Sequence, residues 1–309
     1  MTVNEKAYAK INLFLDVVGK RGDGFHDIKS IMQTVSLSDE LEVSAIIGDS
    51  TEIELSLTVS DELSALGISP ETLGEIKDNL VFRAARSYLE KAGISAFVCA
   101  KLHKRIPVAA GLAGGSADAA AMLRALNKIF GKCTFSELSA LAAELGSDIP
   151  FCLSGGTALC TGRGENIVNL SYTPELQVVI AIGKAHISTA RAYAALDFAF
   201  SDFDGSVESE GKSILQSGEN TDCDGIGLSA VRRADKCVYN IFEHSGLPEM
   251  DEVQQIKARL RSLGATATLM SGSGPSVFGI FETKTEAEKA TETLLGEGIF
   301  AVSMLTVRM

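Results

Sequence analysis

Pro107-Val-Ala-Ala-Gly111-Leu-Ala-Gly114-Gly115-Ser116-Ala-Asp118-Ala-Ala120 joins a glycine-rich turn to a strongly helical run. Glycine lets a backbone pass close to an anion, and the first turn of a helix presents unpaired N–H groups and the positive end of its dipole. Gly111, Gly114 and Gly115 therefore read as a phosphate cradle, and a triphosphate suits its length. The spacing excludes two common motifs: no Lys precedes Ser116, as a P-loop requires, and Gly111 is followed by Leu112-Ala113 rather than by the pattern of a dinucleotide fingerprint. A loop whose glycines only permit a tight connection is the ordinary alternative.

On either side of this loop the pattern is mixed α and β. Ala96 to Leu102 has strand character, and Asn79 to Ala92 repeats apolar residues at helical spacing. Downstream, Ala119, Met122, Leu123, Leu126, Ile129 and Phe130 share one helix face. A further helix is predicted over Ser136 to Leu145, with Ser136 as N-cap and Gly146 as C-cap, delivering Asp148 just beyond its end. At the N-terminus Lys6 to Val17 alternates, placing Ala7, Ala9, Ile11, Leu13, Leu15 and Val17 on one face and Lys10 with Asn12 on the other. The turn Arg21-Gly-Asp-Gly-Phe-His26 leads to strands at Ile28–Val35, Leu41–Ile47 and Glu52–Val59, an antiparallel opening.

The second half reads strand 176–182, helix 251–263, strands 265–270 and 277–281, helix 284–295 and strand 299–307, the order of a βαββαβ sandwich. The acidic stretch Ser201 to Asp224 reads as a solvated surface segment. The fold class expected is α+β in two domains, 1–159 and 160–309, the second ferredoxin-like.

A chain of 309 residues, 46% hydrophobic, can bury a substantial core. Its apolar runs, such as Val178 to Ile182, are too short to cross a bilayer, which predicts a cytoplasmic protein with no membrane partner. The net charge of -12 argues against nucleic acid, so an anionic small substrate must be met by local charge. Six cysteines lack metal-type spacing and read as reduced.

Phosphoryl transfer needs a nucleotide cradle, charge compensation, an aligned hydroxyl and often a carboxylate to take its proton. Lys10, Asp148 and Ser116 offer these functions, although an exposed strand lysine, a turn aspartate and a cap serine are the ordinary readings of each alone. The set of Ala9-Lys-Ile-Asn-Leu13, Arg21 to His26, Asp78-Asn-Leu80, the glycine loop, Gly146-Ser-Asp-Ile-Pro-Phe151 and Met270-Ser-Gly-Ser-Gly-Pro275 resembles the GHMP kinase superfamily. The Arg21–His26 and Gly146–Phe151 segments match the branch that phosphorylates the 2-hydroxyl of a cytidine-diphosphate-linked methylerythritol in the non-mevalonate isoprenoid route.

The resemblance implies roles as well as a fold. Asp148 matches the general base, Lys10 the cation beside it, and Asn12 a residue that positions the acceptor alcohol. Phe25 and His26 match an aromatic pair for cytosine, although tyrosine is the commoner residue at Phe25. Asn79, Lys104 and Pro107, Val108, Ala109, Ala110, Gly111, Leu112, Ala113, Gly114, Gly115 and Ser116 match the ATP site, and Gly272, Ser273 and Gly274 a third motif packed over it. ATP is the implied co-substrate with Mg²⁺, without named metal ligands, in a monomer or homodimer. Homoserine and mevalonate kinases share the glycine loop, but the Arg21–His26 turn speaks against them; a non-catalytic nucleotide-binding module would not need Lys10 with Asp148.

Overall fold

The structure is a computed structural model that describes residues 1–172, 174–201 and 238–308. Beyond Ser201, the acidic stretch lies outside the described residues, as do Cys223 and Cys237. In chain order the elements are β1 (Thr2–Lys20), β2 (His26–Ile47), β3 (Glu52–Val59), α1 (Asp61–Ala65), α2 (Leu80–Ala92), β4 (Ala96–Lys104), α3 (Gly114–Phe130), α4 (Phe135–Leu145) and α5 (Ile149–Ser154). They are followed by β5 (Thr157–Gly162), β6 (Asn166–Asn169), β7 (Gln177–Ile182), α6 (Thr189–Ser201), β8 (Tyr239–Asn240) and α7 (Met250–Ser262). The chain closes with β9 (Ala267–Met270), β10 (Val277–Phe281), α8 (Lys284–Gly296) and β11 (Phe300–Leu305).

One sheet runs β3-β4-β2-β1-β8, with β5 and β6 branching from β2. Its opening pair is antiparallel, as the alternation predicts, whereas β3 lies parallel to β4. The two strands expected at Ile28–Val35 and Leu41–Ile47 are one 22-residue strand, β2, because Ser38 to Glu40 resume the pairing against β1 after a register shift. The other sheet has the order β11-β7-β10-β9, all antiparallel. Numbered within that half, this is the ferredoxin-like order 4-1-3-2, with α7 and α8 packed on it.

The alternation in β1 is broken by register shifts between Tyr8 and Lys10 and between Asn12 and Phe14. A bulge re-aims the side chains that follow it. The single apolar face predicted for 7–17 is accordingly divided: Ala7, Leu15 and Val17 pack with α2 and α3, whereas Ala9, Ile11 and Leu13 pack towards Val178, Ile180 and Phe278 of the second sheet. β1 is thus buried on both sides at the level of Lys10 and Asn12.

Two local expectations are corrected. The N-cap of α4 is Thr134, not Ser136: Thr134 and Glu137 form a reciprocal capping box that satisfies two end donors. The 159/160 boundary falls inside β5, which pairs with β2, so the first sheet continues to Asn169 and the second begins at Gln177.

Candidate active site

Between the glycine loop, the Arg21–His26 turn and α6 lies a cleft of about 950 Å³. It is lined by every site residue singled out from the sequence except Gly274, which sits one residue behind Gly272 and Ser273.

The loop owes its shape to left-handed backbone at alternate positions: Ala109, Gly111 and Ala113 have φ of 53°, 75° and 56°. Such alternation turns successive N–H groups inward on an anion, and two alanines held there store strain that glycine would not. At Gly111 the choice of residue is dictated, since a Cβ would lie 2.1 Å from the carbonyl oxygen of Ser271. Helix α3 starts at Gly114, leaving the amides of Gly114, Gly115 and Ser116 without partners in their own helix.

The third motif is a turn between β9 and β10 that braces this loop. Ser271 Oγ donates to the Gly111 carbonyl at 3.0 Å, and Ser276 Oγ donates to that of Ala110. Asn240, on β8, donates to the carbonyls of Met270 and Gly272, both at 2.8 Å. From the other side the Lys10 amide donates to the Leu112 carbonyl at 3.1 Å, joining the loop to β1.

Lys10 is only 4% exposed. Its ammonium donates to Asn12 Oδ1 at 2.7 Å and lies 3.6 Å from Asp148 Oδ2. Asn12 in turn donates to Ser30 Oγ at 2.8 Å, and Ser30 to the Phe14 carbonyl, so the rotamer of Asn12 is fixed by the strand pair. Asp148 stands immediately before α5, its side chain 31% exposed towards the cleft. A cation, a carboxylate with room to accept a proton and an amide of fixed orientation are thereby brought together beside a phosphate cradle.

At the far wall, His26 Nε2 lies 2.7 Å from Asp197 Oδ1, and the imidazole stacks on Tyr193 with ring centres 4.6 Å apart. Lys20, and then His26, hold the Asp197 carboxyl below its usual range. Burial, with the charge of Asp148 added, pushes the Tyr193 phenol up to about 12, so it remains neutral. Phe25 is 52% exposed, and the Arg163 guanidinium lies over its ring at 5.0 Å.

Asn79 caps α2 by accepting from the Val81 amide at 2.9 Å while lining the cleft. Lys104 is buried behind the loop between Asp39 and Asp118. Sequence reasoning missed Asp39, Arg163, Tyr193 and Asp197 and gave Asp118 no task, although the charge of Asp118 inside an alanine-rich apolar helix face was visible.

The chain is similar to known proteins. The sequence patterns described as GHMP kinases N terminal domain and GHMP kinases C terminal match residues 79–156 and 225–298. Curated relatives named 4-diphosphocytidyl-2-C-methyl-D-erythritol kinase include one from Caldicellulosiruptor saccharolyticus, 38% identical over 94% of this chain and 91% of its own. Another, from Exiguobacterium sibiricum, is 39% identical over 96% and 95%. The chain belongs to the GHMP kinases. A crystal structure of 4-(cytidine 5'-diphospho)-2C-methyl-D-erythritol kinase superposes with a TM-score of 0.77 at 31% identity, covering 99% of this chain and 100% of that one. A homoserine kinase from Cytophaga hutchinsonii, 20% identical over 99% and 94% of the two chains with a TM-score of 0.64, shares the GHMP kinase fold. Among the described residues no helix is long and apolar enough to cross a membrane.

Proposed function

We propose that this GHMP kinase transfers the γ-phosphoryl group of ATP to the 2-hydroxyl of 4-diphosphocytidyl-2-C-methyl-D-erythritol, giving the 2-phosphate and ADP. The observation that carries the reading is one cleft with Lys10, Asn12 and Asp148 beside the phosphate loop and the Phe25–His26 turn at its opposite wall. The near full-length relatives with that name support the choice of acceptor.

The acceptor oxygen attacks the γ-phosphorus as its bond to the β-phosphate oxygen breaks, and the hydroxyl proton passes to Asp148. Lys10, 3.6 Å from that carboxylate, stabilises the developing alkoxide. Asn12 orients the hydroxyl, held in turn by Ser30. The loop amides from Gly114 to Ser116 meet the phosphate oxygens, and Lys104 adds charge from behind.

Base recognition follows from the proton balance at His26. Asp197 Oδ1 accepts, so Nε2 of His26 carries the donated hydrogen, and in that tautomer Nδ1 is an acceptor. An acceptor suits an exocyclic amino group such as that of cytosine. The imidazole and Tyr193 are in contact, so a pyrimidine stacks on exposed Phe25 rather than between those two rings. Arg163, over the same ring, supplies positive charge for a diphosphate. Mg²⁺ bound with ATP neutralises phosphate charge.

The deciding experiment is ADP release with ATP and magnesium in the presence of the cytidyl substrate, homoserine or mevalonate. Turnover with the cytidyl substrate alone is expected. Turnover with either of the others instead would reassign the acceptor, and ATP binding without turnover on all three would reduce the protein to a nucleotide-binding module.

A further inference from the structure

Behind the phosphate loop lie three buried ionisable groups whose charges do not cancel. The Lys104 ammonium touches Asp39 Oδ2 and lies 2.6 Å from Asp118 Oδ2. All three side chains are at least nine-tenths buried, so full ionisation would leave net negative charge in the interior, next to a site built for a polyphosphate.

The two carboxyls are not equivalent. Asp39 Oδ1 accepts from the amides of Arg105 and Ile106, at 2.5 and 2.8 Å, and Oδ2 from Lys104, so both of its oxygens have donors. Asp118 has Lys104 as its donor on Oδ2, while its Oδ1 is buried with no partner. A negative charge is therefore less well supported at Asp118 than at Asp39.

Among the described residues no second cation forms an ion pair with Asp118. On β1, Glu5 is paired with Arg124 and Lys128, and Lys10 faces Asp148. On α5, the Cys152 thiol is pushed up by burial and stays neutral. The face of α2 packed on α3 is apolar, through Val81, Ala84 and Ala85. Burial, opposed by Lys104 and reinforced by Asp39, pushes the Asp118 carboxyl up to about 8. Burial also works against the charged form of Lys104, but the two carboxyls outweigh it and raise that ammonium, so Lys104 remains the cation.

We propose that binding of a nucleotide polyphosphate at the Pro107–Ser116 loop takes up a proton from solvent, held on Oδ1 of Asp118, which releases the full charge of Lys104 towards the phosphates. Asp118 is then a positioning residue that acts through Lys104. A Cβ placed on Gly114, the first residue of α3, would lie 3.4 Å from the Lys104 ammonium, so this cation sits directly under the helix start. An incoming anion there raises the proton affinity of the nearby carboxyl further. The inference rests on the nucleotide-binding reading of the loop.

The test is calorimetric titration of the full chain with ADP at about pH 8.5 in two buffers of different ionisation enthalpy. At that pH ADP is fully ionised and contributes no proton of its own. The heats are expected to differ between buffers by an amount equivalent to about half a proton or more taken up. Asp118→Asn should bind ADP with buffer-independent heat. Asp39→Asn keeps Asp118 but leaves it alone with Lys104, and should show a smaller uptake than the parent. Buffer-independent heat in the parent protein, or uptake unchanged in Asp118→Asn, would overturn the proposal while leaving the ADP site standing. Absence of any ADP binding would overturn the site and the proposal together.

Discussion

At the scale of single residues, Asp148, the proposed general base, has few structural tasks. It makes no cap hydrogen bond to α5, and it is partly open to the cleft. Asp148→Asn is expected to lower turnover by about two to four powers of ten with nucleotide affinity retained, as single-turnover and ADP-binding measurements would show. Unaltered turnover would remove it from the reaction. Truncating the turn proposed to hold the base acts elsewhere: Phe25→Ala or His26→Ala should weaken the cytidyl substrate by about 1–2 kcal/mol and leave the Michaelis constant for ATP in place. Asp118 also shapes stability. Its folded-state affinity for a proton exceeds the unfolded one, so the native state binds more protons between about pH 4 and about pH 8, and stability falls as pH rises through that window. Relative to the parent, Asp118→Asn should become progressively more favourable from pH 5 to pH 9 in denaturant titrations. A constant difference across that range would mean that Asp118 stays ionised.

At the scale of elements, the glycine loop and the β9–β10 turn act as a single support, because each supplies the other's hydrogen-bond partners. Gly111→Ala would force a Cβ into the Ser271 carbonyl at a left-handed backbone position. A loss of about 2–4 kcal/mol in stability is expected, together with weakened nucleotide binding, readable by thermal melts with and without ADP. Unchanged melting would show that the two turns separate easily. What the sequence disclosed of this region follows from range. The loop, the shared face of Lys10 and Asn12 and the βαββαβ order depend on spacings of a few residues, and these were legible. Thr134-Phe-Ser-Glu137 spells a capping box within four residues, and its two reciprocal bonds prevail over Ser136 as the cap. Partners brought together by topology were not: Asp39 meets Lys104 from 65 positions away, and Asp197 meets His26 from 171. The split of the β1 apolar face escaped for a different reason, since a bulge leaves no mark in a hydrophobic alternation.

For the whole molecule, a net charge of -12 opposes the approach of any polyphosphate, while Lys10, Lys104 and Arg163 are concentrated in one cleft. Raising the ionic strength from about 0.01 M to about 0.15 M shortens the screening length from roughly 30 Å to roughly 8 Å. Distant repulsion is then suppressed more than local attraction, so the nucleotide association rate measured by stopped flow should rise. A fall would show that the cleft's own field extends beyond the acidic surface.

The chain leaves the first sheet after β6, yet it returns: β8 pairs with β1 at Phe14 and Leu15, and near the C-terminus the Val307 amide donates to the Thr34 carbonyl. The halves are therefore stitched rather than hinged end to end. A fragment ending at Asn169 would lack both stitches and the β9–β10 turn, held by Asn240, that braces the glycine loop. In shuffling experiments this protein would behave as one inheritable block, and grafting a foreign C-terminal half would have to carry over these seams as well as the substrate wall.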